Sequence, residues 1–472
     1  MKKTKIICTL GPASNNRETI VKMIESGMNC ARHNFSHGDH ETHKQNMELV
    51  RSVNKELGSY VAVLQDTKGP EIRTNNFKGG IQELVKGNQV TIYMEEIEGD
   101  DTKFSVTYQG LVNDVEVGDR ILIDDGLIGL IVEEKYEDRV VCRIRNTGIV
   151  KNKKGVNLPD STLNIDFISP KDYEDIVFGC KMDVDYIAAS FVRRKEDVLA
   201  IREILKEQGN EKILIISKIE NQEGVDKIDE IIEVSDGIMV ARGDLGVEIP
   251  LENVPLVQKS IIKKCNEAGK LVITATHLLD SMQKNPRPTR AESADVANAI
   301  IDGSDCVMLS GETAAGEYPV ESVITMATIA ERVEESFLDH KSILKNRIKS
   351  ANKDVTEAIG IAVGQSVLSL ESIAVVAATQ SGHTAKAISR FRLPVPVIAS
   401  TPYEKTCTRV ALNWGVFPFV EDYTTSNDDI VNNAFNAVNK MMNPKKGDTF
   451  IITAGIPASR VKHTNFMKIE EF

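Results

Sequence analysis

The feature that most constrains this chain is a series of eight short β-branched runs: KIICT, CARHNF, VAVLQD, YIAAS, ILIISK, GIMVA, LVITAT and CVMLS. Amphipathic stretches with helix-cap signals separate most of them, and such alternation specifies parallel strands joined by crossover helices. Ser14, before NNRETIVKMI, reads as an N-cap, with Ile20, Met23 and Ile24 at helical spacing. Between the third and fourth runs the pattern breaks. Residues 71–166 lack strong helical periodicity and carry turn signals such as Lys78-Gly79-Gly80, Val117-Gly118-Asp119 and Asp125-Gly126. Removing that stretch leaves about 245 residues for eight strand–helix units, close to the ~250 of a (β/α)8 barrel. The expected fold is therefore α/β, a (β/α)8 TIM barrel over 1–70 and 167–340 with an inserted all-β domain, read as a β-barrel, at 71–166. The polar stretch LDHKSILKNRIKSANKD reads as a boundary. Beyond it, the helical pattern DVTEAIGIAVGQSVLSL and the runs SIAVVAA, VPVIAS and TFIITAG predict a C-terminal α/β open-sheet domain at 341–472.

A net charge of -12 over 472 residues argues against a broad nucleic-acid surface, so any anionic ligand must meet a local basic pocket. No long apolar run suggests a signal peptide or membrane span, and a cytoplasmic location is expected. The seven cysteines are widely spaced and never in a CxxC pair, which points to reduced, buried side chains.

In a barrel, the C-terminal ends of the strands line the reactive mouth. Polar residues in this sequence gather there: Arg32, Asn34 and Ser36 after run two, Asp66 and Thr67 after run three, Lys218 and Glu220 after run five. Arg242 and Asp244 follow run six, Thr276 run seven and Ser310 run eight. Taken singly, Lys218 and Glu220 would be a strand-end ion pair, Asp66 a cap and Thr276 a core residue. Their collection at one end of otherwise apolar strands argues for a site. Glu220 and Asp244 offer hard oxygens suited to Mg2+. Asn34, Ser36, Asp66 and Thr67 offer oxygens of low total charge, suited to a monovalent cation. Arg32, Arg73 and Lys218 supply positive charge for a migrating phosphoryl group. The loop Ala241-Arg242-Gly243-Asp244-Leu245-Gly246 lets backbone N–H groups approach an anion.

These segments also carry a resemblance. MNCARHNFSHG, DTKGPEIRT, ISKIENQEGV, IMVARGDLGVE, ATHLLDSM, NPRPTRAE and VMLSGETAAG resemble, in order and spacing, the signature stretches of the pyruvate kinase family. The resemblance implies phosphoryl transfer from phosphoenolpyruvate to ADP, giving pyruvate and ATP, as the last step of glycolysis. It implies catalytic roles for Lys218, Arg32 and Thr276, and substrate binding by Arg32, Lys218, Gly243, Asp244 and Thr276. Nucleotide contacts fall on Asn34, His37, Arg73 and Lys154. Mg2+ or Mn2+ falls on Glu220 and Asp244, and K+ on Asn34, Ser36, Asp66 and Thr67. Glu71 marks the potassium-dependent type. The insertion becomes a lid hinged near Pro70 and Pro159–Asp166, and the assembly a homotetramer.

His33, Gln65 and His277 depart from the family pattern. By strand alternation His33 is expected to be a buried neutral histidine, with a partner, on the helix side. Gln65 is expected to face outward, and His277 to sit near the substrate rim or a subunit contact. The resemblance further implies that Thr379, Ser381, Gly382, His383 and Thr384 bind a sugar-phosphate or nucleotide effector. The later AGIPASRVKHTN departs there, with Ser459 and Lys462 where glycines are usual and cationic Arg460, Lys462 and His463. Two rivals are a barrel lyase acting without nucleotide and a metabolite-sensing protein that has lost catalysis.

Overall fold

The structure is a computed structural model describing residues 1–351, 354–423, 426–456 and 463–472. Ser459, Arg460 and Lys462 of the effector reading lie outside the described residues.

The eight runs form one closed parallel barrel of Lys5–Thr9, Met28–Asn34, Ala62–Asp66, Tyr186–Ala189, Leu214–Ile219, Gly237–Ala241, Leu271–Ala275 and Cys306–Leu309. Each strand bonds to the next, and the eighth returns to the first, with Lys5 opposite Cys306. Both faces of these strands are buried, which explains their nearly continuous apolar sequence. Ile7, Leu64, Ile216, Met239, Ile273 and Met308 fill the barrel, whereas Ile6, Val63, Ile215, Val240, Val272 and Val307 pack beneath the helices. The first helix, Arg17–Glu25, is capped by Asn16, whose side chain accepts the Thr19 N–H at 3.0 Å. Ser14, the expected cap, instead accepts the Gly11 N–H at 3.2 Å, tightening the preceding turn.

The stretch between the third and fourth barrel strands is built mainly of strands, with a core of its own centred on Leu84, Val90, Ile121, Leu130 and Val140. A seven-stranded sheet begins at one edge with Ile72–Arg73, followed by Gly155–Asn157 and Arg120–Ile123; Ile81–Leu84 and Gly148–Lys151 form a separate ribbon. Beyond the barrel lies a five-stranded open sheet, four strands parallel and the last, Phe466–Glu471, antiparallel. This region closes the barrel floor. Ala411 and Leu412 join the barrel's interior cluster, the Tyr186 hydroxyl donates to the Arg409 carbonyl, and Cys306 Sγ lies 3.2 Å from the Leu412 carbonyl.

The polar stretch read as a boundary contains a helix, His340–Ser350. Its polarity conceals one anchoring apolar residue: Leu344 is buried in the C-terminal core, and Asp339 caps the helix by accepting the Ser342 N–H at 3.1 Å. All seven cysteines are free and buried. Among the described residues, no helix is long and apolar enough to cross a membrane.

Candidate active site at the barrel mouth

Six side chains, Thr9, Arg32, Asp66, Ser190, Lys218 and Glu220, converge at the C-terminal ends of five neighbouring barrel strands. Asp66, fully buried at the end of the third strand, accepts Arg32 Nε at 2.6 Å on one oxygen and Lys218 Nζ at 3.0 Å on the other. Arg32 is fixed a second time by Nη1 donating to Thr9 Oγ1 at 2.8 Å. Lys218 also donates to Ser190 Oγ at 2.7 Å, and that hydroxyl lies 2.6 Å from the Thr67 carbonyl. Burial alone would lower the Lys218 ammonium, yet Asp66 and Glu220 hold it above the ordinary lysine value. Burial alone would raise the Asp66 carboxyl, yet Arg32 and Lys218 hold it below its ordinary value. The result is two fixed cations facing the mouth, stabilised by a carboxylate that cannot reach solvent.

Glu220 is compensated less completely. One carboxylate oxygen accepts the Phe191 N–H at 2.6 Å. The other, Oε1, lies 3.0 Å from Lys218 Nζ but outside hydrogen-bonding geometry, leaving a buried acceptor without a hydrogen-bond donor among the described residues. Burial and the like charge of Asp244 push Glu220 up to about 8 despite Lys218. A buried carboxyl with one unused oxygen and a second carboxylate in electrostatic reach is a donor set that fits a hard divalent cation. Among the described residues, no three His, Cys, Asp or Glu side chains group to hold a metal unaided, so water or substrate oxygens must complete such a sphere. Asn34 and Asp66 are register partners on adjacent strands, Thr67 follows Asp66, and Asn34 Oδ1 accepts the Ser36 N–H at 3.1 Å. The second strand ends at Asn34, so strand alternation does not extend to Ser36, which sits in the turn beyond it.

The sixth and seventh strands end in a strained, interlocked pair of loops. Thr276 (φ 67°) and His277 (φ 54°) are consecutive non-glycine residues in the left-handed region, a conformation that needs strong local support. That support includes the Gly243 N–H donating to Thr276 Oγ1 at 2.7 Å, and Arg242 donating to the Thr276 carbonyl at 2.7 Å. A Cβ at Gly243 would lie 3.4 Å from Thr276 Oγ1 and 3.6 Å from His277 Cε1, so exposed His277 stands at the rim beside this loop.

A cavity of about 440 Å³ runs from Asp244 to the inserted region, lined by His37, Arg73 and Lys154 among others. Both cations of the insertion are already paired, Arg73 Nη2 with Glu71 at 2.8 Å and Lys154 Nζ with Asp124 at 2.8 Å. An incoming anion would share or displace these carboxylates.

Of the residues that depart from the family pattern, His33 and Gln65 are register partners behind the mouth. Burial lowers His33 to about 3, so it is neutral as expected, but among the described residues neither ring nitrogen has the hydrogen-bond partner expected of it. It meets the His43 ring edge-on at 6.2 Å. Gln65 turns into the helix layer, where its amide donates to the Asp175 carbonyl at 2.6 Å. The effector residues divide. Thr379 and Thr384 line a small cavity with His463, Ser381 and Gly382 face a cleft of about 1020 Å³ against the barrel floor, and His383 borders both.

Sequence reasoning missed Ser190, the Phe191 N–H, Thr9 and Asp124. Ser190 was detectable, because it closes YIAAS where every neighbouring strand ends in a functional residue. Phe191 gave no signal. It contributes a backbone group, aimed by φ 56°, that no side-chain pattern encodes.

Comparison with known proteins agrees with this geometry. A family model described as "Pyruvate kinase, barrel domain" matches residues 1–323, and one described as "Pyruvate kinase, alpha/beta domain" matches residues 357–470. The chain is 54% identical over 471 residues to a pyruvate kinase of Staphylococcus saprophyticus, and 55% identical over 471 residues to one of Staphylococcus aureus. Each alignment covers 99% of this chain and 80% of the relative. A crystal structure of a pyruvate kinase from Cryptosporidium parvum superposes with a TM-score of 0.95 at 39% identity, covering 100% of this chain and 96% of that one.

Proposed function

This chain belongs to the pyruvate kinase family and is a phosphotransferase, and from that premise we propose how its barrel mouth moves the phosphoryl group of phosphoenolpyruvate to ADP. The observation that carries the proposal is the buried Arg32–Asp66–Lys218 group beside the unused oxygen of Glu220. Arg32, locked by Asp66 and Thr9, holds the substrate phosphate. Lys218 stays charged and sits where negative charge on the moving PO3 unit must be offset, an electrostatic task this reaction demands more than covalent help. Gly243, Asp244 and Thr276 receive the substrate carboxylate, and Asn34, His37, Arg73 and Lys154 contact the nucleotide.

Glu220 and Asp244 would hold Mg2+ or Mn2+, and Asn34, Ser36, Asp66 and Thr67 would hold K+, with Glu71 marking that requirement. Together these ions would supply positive charge along the phosphoryl path. The enolate gains its proton from the Thr276 side. The Thr276 hydroxyl lies 2.7 Å from its own strand's Ala275 carbonyl, so a donating role requires that contact to be released.

The insertion, 71–166, acts as a lid that excludes water which would otherwise hydrolyse the phosphate. Buried Arg193 supports its hinge, donating to the Leu163 and Ile165 carbonyls at 2.8 Å each. The barrel comprises 1–70 and 167–340. The C-terminal domain, 341–472, binds a sugar-phosphate or nucleotide effector through Thr379, Ser381, Gly382, His383 and Thr384. A homotetramer working in the cytoplasm completes the reading.

The test is a coupled assay of pyruvate formation from phosphoenolpyruvate with Mg2+ and K+, with and without ADP and candidate effectors. Pyruvate must appear only when ADP is present. Its release without nucleotide would establish the lyase rival instead.

A further inference from the structure

One polar contact ties the two ends of the cleft together and has no part in the roles assigned above. Asn157 Nδ2, on the inserted sheet, donates to Glu248 Oε1, on the barrel, at 2.7 Å. Glu248 ends the short helix Arg242–Glu248, and Asp244 lies one turn earlier on that helix. Residues four apart on a helix share a face, and both carboxylates line the 440 Å³ cavity.

On the other side, Asn157 ends the strand Gly155–Asn157, which pairs antiparallel with Ile72–Arg73 in the register Gly155↔Arg73 and Val156↔Ile72. Arg73 and Lys154 therefore sit at the same end of this ribbon, the edge pair of the seven-stranded sheet, and Asn157 fastens the opposite end of it to the barrel. A second contact lies nearby. The turn Asp124-Asp125-Gly126 approaches the same helix closely enough that a Cβ at Gly126 would stand 3.7 Å from Val247 Cγ1. That turn is joined to the ribbon by Asp124 N–H to the Gly155 carbonyl at 3.0 Å, and by the Asp124–Lys154 ion pair.

We propose that Asn157 and Glu248 form a positioning latch that fixes the ribbon bearing Arg73 and Lys154 to the helix bearing Asp244, so that occupation of the substrate end of the cleft tightens nucleotide binding at the other. The inference rests on the assignment of Arg73 and Lys154 to the nucleotide and of Asp244 to the substrate end. Glu248 touches no reacting atom. Its effect passes through the ribbon, and linkage requires the coupling to run equally in both directions.

Two measurements on the full chain test the latch. In the first, hydrogen exchange at the amides of residues 155–158 is followed in N157A, E248A and the double variant without any ligand. The latch requires each single change to speed exchange about tenfold, with the double variant no faster than either single, because one hydrogen bond to a carboxylate is lost in all three. In the second, ADP affinity is measured by calorimetry in Mg2+ buffer, with and without pyruvate, a pair that cannot react for want of a phosphoryl donor. In the parent, pyruvate should tighten ADP binding, and in N157A and E248A that enhancement should fall to near unity. E248Q should retain most of it, since the amide oxygen can accept the same bond. KM for ADP should rise about five- to tenfold in E248A with kcat little changed. Additive exchange rates, or undiminished pyruvate enhancement in E248A, would overturn the latch. A parent that makes no pyruvate from phosphoenolpyruvate and ADP would instead overturn the functional reading, and the exchange result would still decide whether the hydrogen bond holds the ribbon.

Discussion

The barrel buries a lysine at each end, and the two have opposite electrostatic fates. At the mouth, Lys218 lies against Asp66 and Glu220 and is held above its ordinary value. At the floor, Lys5 is 2% exposed, donates to the Val416 carbonyl at 2.5 Å and stands 4.3 Å from the centroid of the Phe417 ring. Among the described residues no carboxylate forms an ion pair with it, and burial, reinforced by Lys2 and only partly offset by Glu334, lowers it to about 7. Burial penalises both ammonium groups, so burial is not what makes one of them useful. The difference is the supporting carboxylates. At the mouth they keep a charge where water cannot, whereas the floor uses its lysine as a donor to the domain that closes the barrel.

The largest effect should come from breaking the mouth. Lys218→Met should lower kcat by ~10³ or more while Mg2+ binding, read by calorimetry, stays close to the parent's, because the charge is needed mainly in the transition state. Asp66 would keep Arg32, so the fold should survive with a reduced Tm. Near-normal turnover would remove Lys218 from the mechanism and make the two lysines equivalent.

A smaller effect follows from withdrawing charge without mutation. Replacing K+ by Na+ should lower activity by about 10²-fold if Asn34, Ser36, Asp66 and Thr67 position a monovalent cation. Full activity in sodium alone would dissolve that assignment. Smaller again is Ser190→Ala, which removes the hydroxyl between Lys218 and the Thr67 carbonyl. One hydrogen bond to a charged group corresponds to roughly tenfold in kcat, with KM for phosphoenolpyruvate little altered. An unchanged kcat would show that the two carboxylates alone hold Lys218 in place.

The mouth was legible in sequence because strand pleating converts residue spacing into direction: Lys218 and Glu220, two apart, had to point together, and the same holds for Arg32 and Asn34. The floor was not legible. Nothing adjacent to Lys5 in sequence foretells Val416 or Phe417, since those partners arrive from a different sheet about 410 residues later. The same reason hid Glu248, whose partner Asn157 comes from the insertion, and Phe191, whose contribution is a backbone N–H. The missed helix at His340–Ser350 is the opposite case, a local element whose polar pattern masked the single buried Leu344 that holds it. His33 shows where alternation stops being sufficient: it fixes the face a side chain occupies, but not whether a hydrogen-bond partner waits there.

The smallest effect belongs to the floor, and it has the opposite sign. Lys5→Met should leave turnover unchanged, since the residue lies at the N-terminal end of its strand, away from the mouth. Stability is where it should register. The folded value of Lys5, about 7, is below the 10.5 of the unfolded chain, so between these limits the unfolded chain binds more protons. The Lys5 contribution to the parent's stability therefore rises with pH through this window, and the penalty for burying the charge is fully present only below about 7. The buried thiols act in the reverse direction as pH passes the ordinary value of 9.0, and Glu220 does so up to about 8, but both are shared by parent and variant, so the difference between the two proteins from pH 7 to 9 isolates Lys5. Lys2, lowered to about 8, contributes in the same sense and stays in place in the variant. Thermal unfolding across that range should show the parent gaining on Lys5→Met by a few degrees as pH rises, with the variant equal or more stable at pH 7. A variant that loses stability uniformly at every pH would mean that the Val416 and Phe417 contacts keep Lys5 charged, and the two ends of the barrel would then differ in the partners they use and not in the charge they carry.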